Sequence, residues 1–226
     1  MKIAVLGTGT VGQTIAGKLA DLRHAVVVGT RDPEQTLARA EPDAMGNPAF
    51  PAWLAEHPTV RLAAFAEAAA EGELIVNATG GAGSLQALAQ AGAANLAGKV
   101  LLDVSNPLDA SQGFPPSLLV KDTDSLAEQI QRAFPEARVV KSLNTMTAAL
   151  MVDPARVGGG DHSTFVSGDD AAAKKTVVEL LTSMGHIDVI DLGDLSTARG
   201  AEMLLPIWLR LMSALGTPYF QFKIVR

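Results

Sequence analysis

Six residues near the start of the chain have the types and the spacing of a phosphate-binding turn. The run from Gly7 to Gly12, GTGTVG, follows a short apolar run, Lys2 to Leu6, and precedes apolar residues that fall on one face of a helix. Its glycines suit a tight turn, room for a pyrophosphate beside the backbone, and close packing of the helix on the strand. The motif therefore predicts a dinucleotide site at a helix N-terminus, and the alternative is a glycine-rich turn in another α/β fold.

The tip of the second predicted strand indicates which dinucleotide binds. Thr30 and Arg31 offer a hydroxyl and a guanidinium to the extra phosphate of NADP, whereas an acidic residue there would bind the ribose hydroxyls of NAD. Asp32 is the competing observation, because it lies about 20 residues beyond Gly12. An aspartate followed by Pro33 at a helix start is typical of an N-cap, which explains the carboxylate without a ligand. We therefore expect NADP rather than NAD.

Three further loops leave the predicted carboxyl ends of strands, where ligands bind in open α/β sheets. They are Asn77 to Gly81, Ser105 to Pro107, with Asn106 between, and Asn144 to Met146. Their uncharged amides and hydroxyls suit a ribose and a carboxamide better than a charged substrate. For any single asparagine the alternative is a turn former that bonds its own backbone.

A positioned acid or base, which the oxidation of an alcohol would require, is not found in the sequence. The residues typical of that role are expected in surface turns or stand alone: His24, His57, His162, His186 and Tyr219. Metal-ligand spacing is also lacking, so no metal site is expected. The sequence favours chemistry that a cofactor carries, with the protein supplying position.

Composition narrows the partners further. The chain has 226 residues with 18 basic and 24 acidic side chains, a net charge of −6 that disfavours nucleic acid. Since it has no cysteine, disulfides, thiolate metal sites and a cysteine nucleophile are excluded, and a reducing cytosol is the expected compartment. No uncharged apolar run reaches roughly 18 residues. We expect a soluble cytoplasmic protein that binds neither nucleic acid nor membrane.

The elements that must position these residues alternate in the pattern of an α/β protein. Residues 1–145 are predicted to form a Rossmann-type, doubly wound parallel sheet that binds NADP. Residues 146–226 are predicted to form a small C-terminal α/β domain that ends in one long apolar helix. Two stretches rich in proline and glycine, Glu41 to Pro58 and Asn106 to Pro116, are expected to leave the sheet.

The predicted strands are Lys2 to Leu6, Ala25 to Gly29, Arg61 to Ala63, Leu74 to Asn77, Lys99 to Asp103, Arg138 to Leu143, Ser163 to Val166 and Ile187 to Leu192. The predicted helices are Val11 to Leu22, Pro33 to Ala40, Phe65 to Ala70, Ser84 to Ala91, Ser125 to Ala133, Ala171 to Met184 and Leu195 to Leu215.

Several segments together carry a family resemblance. They are GTGTVG, VVVGTR, NPL, VVKSLNTM, VSGDD, DLGDLSTAR and MLLPIW, in chain order. With them the chain resembles the NADP oxidoreductases dependent on coenzyme F420, which pass hydride between a reduced 5-deazaflavin and NADP. The resemblance implies a Rossmann domain and a small C-terminal domain, with the deazaflavin between them against the nicotinamide.

The resemblance also implies particular contacts with the cofactor. The implied pyrophosphate contacts are Thr8, Gly9, Thr10 and Val11, and the implied contacts of the extra phosphate are Thr30 and Arg31. The implied nicotinamide side is Ala78, Thr79 and Gly80, completed by Ala148 and Phe220. The long loop from Met45 to Pro58 has no evident counterpart in the family.

One departure from the family falls at the expected acceptor site. Where archaeal members have a histidine, this chain has Asn144. A neutral amide cannot take over proton transfer, so the residue either orients the ligand or signals a changed electron partner. Asn144, after the strand at the domain junction, and Ser196, in the family-like LST segment, are the candidate catalytic residues at the acceptor. For Ser196 the alternative is helix capping.

The sequence thus predicts an NADP(H)-dependent oxidoreductase whose small-molecule hydride partner is coenzyme F420 or a flavin. A reductase of free flavin or of a small imine is the alternative within the same class. A non-catalytic module that senses NADP(H) is the alternative from another class. The C-terminal helix is apolar around most of its circumference and must be buried on more than one side, either inside a small domain or in a homodimer.

Overall fold

The computed structural model describes residues 1–42 and 48–226. Its strands are β1 (Lys2–Leu6), β2 (Ala25–Thr30), β3 (Arg61–Ala64), β4 (Leu74–Asn77), β5 (Val100–Asp103), β6 (Leu108–Asp109), β7 (Ser117–Leu118), β8 (Arg138–Ser142), β9 (Ser163–Gly168) and β10 (Asp188–Asp191). Its α-helices are α1 (Thr10–Asp21), α2 (Pro33–Leu37), α3 (Phe50–Glu56), α4 (Phe65–Glu71), α5 (Ser84–Ala91), α6 (Ala93–Leu96), α7 (Leu126–Ala133), α8 (Ala148–Val152), α9 (Ala171–Ser183), α10 (Ala198–Met203) and α11 (Leu205–Leu215).

Eight of these strands form one sheet in the order β10-β9-β8-β5-β4-β1-β2-β3. The strands from β8 to β3 in this order are parallel, whereas β9 pairs antiparallel with β8 and β10 pairs parallel with β9. The predicted α/β class with a Rossmann-type, mostly parallel sheet is confirmed. Because β9 and β10 extend the same sheet beyond residue 145, the division into two domains stays a prediction.

The sheet is covered on both faces because its inner strands are mainly apolar. Successive side chains of a strand point to opposite faces. In β1, Ile3 and Val5 accordingly join one core with α1, α8 and α9, while Ala4 and Leu6 join a second core with α4, α5 and α7. Because the strands from β8 to β3 in the sheet order are parallel, their carboxyl ends lie along one edge of the sheet, which we call the carboxyl edge.

The predicted C-terminal helix is interrupted. α10 ends at Met203 and α11 begins at Leu205, with Pro206 in its first turn. Proline has no N–H to continue the helical hydrogen bonds, so the chain restarts there as a new helix. Within α11 only Leu205 and Leu209 are buried, while Ile207 is 51% exposed. The single chain therefore does not bury this helix on more than one side, and its burial in a homodimer stays a prediction.

Some helices were not predicted. α3 lies in the stretch expected to be an irregular excursion, and it packs against α1, where an added Cβ at Gly17 would lie 3.1 Å from Nε2 of His57. Of the loop from Met45 to Pro58, residues 45–47 lie outside the described residues. The short α6 and α8 were also missed, since each has too few residues to show a helical period.

Two histidines expected at the surface are buried. His162 and His186 are 4% and 2% exposed. The ring of His186 bonds the Thr164 hydroxyl at 2.9 Å and the Met151 carbonyl at 3.0 Å, which satisfies both of its nitrogens. Burial lowers the pKa of His186, against a smaller opposing effect of the bond to Met151. Because these partners are distant in sequence, they could not be identified from it, and the position of His186 in a predicted loop suggested exposure instead.

None of the helices in the described part of the chain combines the length and the apolar character needed to cross a bilayer.

Candidate functional site

The turn between β1 and α1 has the geometry that its glycines predicted. Gly7 has a φ of +121°, and an added Cβ would lie 2.6 Å from the carbonyl oxygen of Ala78. A Cβ at Gly12 would overlap the carbonyl oxygen of Gly7. Both positions therefore exclude a side chain, because three stretches of backbone meet there.

Gly9 differs from its two neighbours in the motif. It is the N-cap of α1, and a Cβ added to it would meet nothing within 4 Å. No acidic side chain occupies the first turn of α1, so backbone N–H groups and the helix dipole leave a positive potential there. Thr8, Thr10 and Val11 are half-buried around the same turn. This open cradle at a helix N-terminus fits a pyrophosphate.

At the tip of β2 the three residues of interest have different environments. Asp32 caps α2, since its Oδ1 accepts the backbone N–H of Gln35 at 3.0 Å, and the interpretation as an N-cap is confirmed. Thr36 donates its hydroxyl proton to the Asp32 carbonyl, so the buried Thr30 hydroxyl is the donor in their 2.8 Å hydrogen bond. Arg31 is exposed and has no hydrogen bond or ion pair with another described residue.

The loops that leave β4, β5 and β8 meet along the carboxyl edge. A Cβ at Gly81 would overlap the carbonyl oxygen of Asn106, so the first two loops touch. Asn106 donates its Nδ2 to the carbonyl of Asn144 at 3.0 Å. Asn144 donates its own Nδ2 to Asn106 Oδ1 at 3.2 Å and to the carbonyl of Ala201 in α10 at 3.0 Å. We call Asn106, Asn144 and Ala201 the amide bridge.

Asn77 has a structural role in this edge. It is fully buried, and its Nδ2 donates to Asp103 Oδ1 at 2.8 Å. Its Oδ1 accepts the hydroxyl of Thr79 at 2.6 Å. Ala78 and Thr79 are half-buried and Gly80 is exposed, next to the Gly7 turn. Asn77 thus holds the loop that the nicotinamide side was predicted to use.

Behind the amide bridge lies a buried ionic cluster that the sequence analysis did not predict. Nζ of Lys141 lies 2.7 Å from Asp103 Oδ2, 2.8 Å from Glu202 Oε1 and 2.6 Å from the carbonyl of Ser105. All three charged side chains are at most 1% exposed. Burial alone would lower the pKa of Lys141, but the two carboxylates outweigh it and the pKa is raised. A lysine inside the apolar VVKSL strand was the available signal.

The two residues predicted at the acceptor do not lie together. Asn144 follows β8 at the carboxyl edge and is 2% exposed. Ser196 is exposed beyond β10, and because β9 and β10 run opposite to β8, it lies toward the other edge of the sheet. Asp194, rather than Ser196, is the residue that accepts the backbone N–H of the following turn. The alternative interpretation of Ser196 as a cap was therefore wrong.

The remaining predicted contacts are near the carboxyl edge. Ala148 is the half-buried first residue of α8, which packs against α1, and Pro107 is buried beside Asn106. Phe220 stacks on Trp208 with ring centroids 5.3 Å apart. Residues 216–226, which follow α11 and which we call the tail, reach the start of β9. There Ser163 donates its N–H to the Phe222 carbonyl at 2.9 Å.

Among residues 1–42 and 48–226, no group of three or more His, Asp or Glu side chains is placed to hold a metal ion.

Comparison with known proteins agrees with this geometry. A family model described as "NADP oxidoreductase coenzyme F420-dependent" matches residues 2–107, which include the Gly7 turn and the loops after β4 and β5. The F420-dependent NADP reductase of Methanothermobacter marburgensis is 30% identical over 220 residues, covering 93% of this chain and 92% of that protein. The chain belongs to the coenzyme F420-dependent NADP oxidoreductase family. The resemblance predicted from the sequence motifs is confirmed.

Two other relatives extend the comparison within and beyond this family. A crystal structure from Arthrobacter sp. FB24, described as an F420-dependent NADP-reductase, is 68% identical, has a TM-score of 0.97 and covers 100% of both chains. The rat metalloreductase STEAP3 is 31% identical over 222 residues. That match covers 92% of this chain but only 38% of the rat protein.

Gly9 and Gly12 make separable contributions to stability and to NADPH binding. Gly12→Ala should lower the free energy of unfolding by about 3 kcal/mol, because its Cβ overlaps backbone. Gly9→Ala should change stability by less than about 0.5 kcal/mol, because its space is open and its φ of −77° suits alanine. The same Cβ projects into the cradle and should weaken NADPH binding about tenfold or more.

Urea unfolding and NADPH titration of both variants measure these effects, with Gly200→Ala in α10 as the control for an alanine added in open space. Unchanged NADPH affinity in Gly9→Ala would show that the pyrophosphate does not lie in this cradle.

Proposed function

We propose that this protein exchanges a hydride between NADP(H) and coenzyme F420. The proposal rests on one observation above all, the open cradle at Gly9 in a chain whose nearly full length aligns with an F420-dependent NADP reductase. Bound NADPH would supply a hydride, which is one hydrogen with two electrons, to the deazaflavin, and the proton that completes the reduced ring would come from water. NADP specificity, the acceptor and the residue roles below belong to this proposal.

The dinucleotide is held along the carboxyl edge. The N-terminus of α1, with Thr8, Gly9, Thr10 and Val11, takes the pyrophosphate, while the exposed Arg31 takes the extra phosphate. The Thr30 hydroxyl is already donated to Thr36, so Thr30 shapes the strand tip instead of donating to the phosphate. Because an exposed guanidinium without another described partner is free to reach a ligand, the preference for NADP depends on Arg31.

The nicotinamide end lies against the loops after β4 and β5, with Ala78, Thr79, Gly80, Asn106 and Pro107 as contacts. Ala148, the first residue of α8, and Phe220, which stacks on Trp208, are the proposed contacts that complete this end. Asn144 acts by orientation, because both hydrogens of its amide are committed to the amide bridge. Ser196 stays a predicted acceptor contact, although its exposed position beyond β10, toward the opposite edge of the sheet, does not support that role.

No acid or base is needed at the hydride step, and the site agrees with this. Lys141 is fully buried, and its raised pKa keeps the ammonium charged, so it does not act as a proton donor to a ligand. Holding two rings about 3 to 3.5 Å apart supplies most of the rate in such a reaction. Reduction of free flavin or an imine, and a sensor without catalysis, are not favoured, since two relatives that this chain covers to 92% of their length are named as F420-dependent NADP reductases.

Arg31 and Thr30 can be separated by mutation. Arg31→Ala should weaken NADP binding by about 1.5 to 3 kcal/mol, the range of a charge-assisted hydrogen bond, and leave NAD binding nearly unchanged. Thr30→Val removes only the bond to Thr36, so it should cost about 1 kcal/mol of stability and leave NADP affinity within about threefold. Titration of both cofactors by intrinsic fluorescence tests this. An equal loss of NADP and NAD affinity in Arg31→Ala would contradict the assignment.

The acceptor is tested directly. Purified protein with NADPH is offered oxidised coenzyme F420, riboflavin, FMN and FAD separately, and NADPH oxidation is followed. We expect coenzyme F420 to be reduced fastest, because a deazaflavin accepts only hydride and depends on the imposed geometry. Faster reduction of a flavin would change the acceptor, and tight NADPH binding without any turnover would favour the sensor.

We also propose a cytoplasmic homodimer. The apolar side chains that α10, α11 and the tail leave exposed support it, among them Met203 at 38%, Ile207 at 51% and Leu215 at 56%. The net charge of −6 supports a small-molecule partner rather than nucleic acid. Sedimentation at micromolar concentration should give twice the mass of the chain, and Ile207→Glu should shift it toward the monomer. A wild-type monomer under these conditions would remove the dimer.

A further inference from the structure

The ammonium of Lys141 has all of its hydrogen-bonding capacity in use. Its three N–H donors match three acceptors: Asp103 Oδ2, Glu202 Oε1 and the carbonyl of Ser105. Buried ion pairs of this kind are often neutral or unfavourable for stability compared with apolar residues of similar volume. Stability alone is therefore a weak reason for three buried charges, and the position of the cluster suggests another.

Two of the three partners of Lys141 are next in sequence to a member of the amide bridge. Ser105 directly precedes Asn106, and Glu202 directly follows Ala201. The lysine itself is three residues before Asn144, at the end of β8. The ionic cluster is therefore bonded to residues that directly adjoin the amide bridge in the chain. A displacement of Lys141 would move the backbone at Asn106 and at Ala201.

Glu202 is held from a second direction as well. Its carboxylate accepts the backbone N–H groups of Leu126 at 2.8 Å and Ala127 at 3.2 Å, in the first turn of α7. The positive end of this helix compensates the second carboxylate of a cluster that has only one cation. Glu202 therefore fixes α10 against both α7 and the carboxyl edge.

We propose that Lys141 is a positioning residue, which sets the amide bridge at the acceptor end of the site through the Ser105 carbonyl and Glu202. This proposal rests on the proposed function, because the amide bridge lies at the acceptor end only if the dinucleotide lies along the carboxyl edge. It requires that loss of the cluster alters the handling of the acceptor more than the binding of NADPH, since the cradle at Gly9 is built by other residues.

The test compares three variants. Lys141→Met leaves two buried carboxylates without a cation and can fail to fold, so Glu202→Gln, which preserves shape and the Lys141–Asp103 pair, is the working variant. The control is Arg199→Gln, which breaks the ion pair between Arg199 and Glu128, joining the same two helices without touching the amide bridge. We measure thermal unfolding, NADPH affinity, and kcat and KM with oxidised coenzyme F420.

In Glu202→Gln, kcat/KM for the acceptor should fall roughly tenfold to a hundredfold, the scale of a misplacement near 1 Å. Its NADPH affinity should stay within about twofold of wild type. In Arg199→Gln, stability should fall and both kinetic constants should stay at wild-type values. The proposal is overturned if Glu202→Gln behaves like Arg199→Gln, or if acceptor kinetics and NADPH affinity fall by the same factor.

Hydrogen–deuterium exchange provides a readout independent of activity. In Glu202→Gln, the amides of Ser105, Asn106 and residues 144–147 should exchange about tenfold faster, while NADPH still protects residues 8–12 as in wild type. If the wild-type protein reduces no acceptor, the proposed function fails, and exchange alone decides the role of Lys141. Unchanged exchange, or a uniform rise across the sheet, would rule it out.

Discussion

The close approach of three backbone segments at Gly7 is the constraint on which the rest of the site depends. The chain leaves β1, touches the carbonyl of Ala78 and turns into a helix whose Gly12 rests on the carbonyl of Gly7. No side chain fits at either contact, so the first turn of α1 is held directly above the end of the central strand. Every other part of the proposed site is arranged relative to that helix end.

The parallel strands place the other loops of the proposed site beside this helix end, along the carboxyl edge. Because β1, β4, β5 and β8 run in the same direction, their last residues lie side by side, and contacts between neighbouring loops follow without long excursions. The reversal at β9 ends the series. After it the chain returns as α10, which reaches the edge from outside the sheet and depends on Glu202 and the amide bridge to be placed there.

The sequence specified the local features of the molecule well. All eight strands of the large sheet were predicted, because each is a compact run of apolar residues between turn signals, and the N-cap at Asp32 followed from three adjacent residues. Features that depend on partners far along the chain were missed. Lys141 is paired with residues 38 and 61 positions away, and His186 with Met151, so the neighbouring residues could not identify these partners. The hydrogen bond from the Thr30 hydroxyl to Thr36 was also missed, because Thr36 comes close to Thr30 only when α2 has formed.

The placement of the two tryptophans has a spectroscopic consequence. Trp53 stacks on the imidazole of His57 at 4.3 Å, in the helix that packs against α1, whereas Trp208 stacks on Phe220 near the tail. The indole of Trp53 therefore lies against a polar imidazole ring, while the indole of Trp208 lies against the hydrocarbon ring of Phe220. The protein therefore contains two optically distinguishable reporters, one beside the dinucleotide-binding helix and one beside the C-terminal segment.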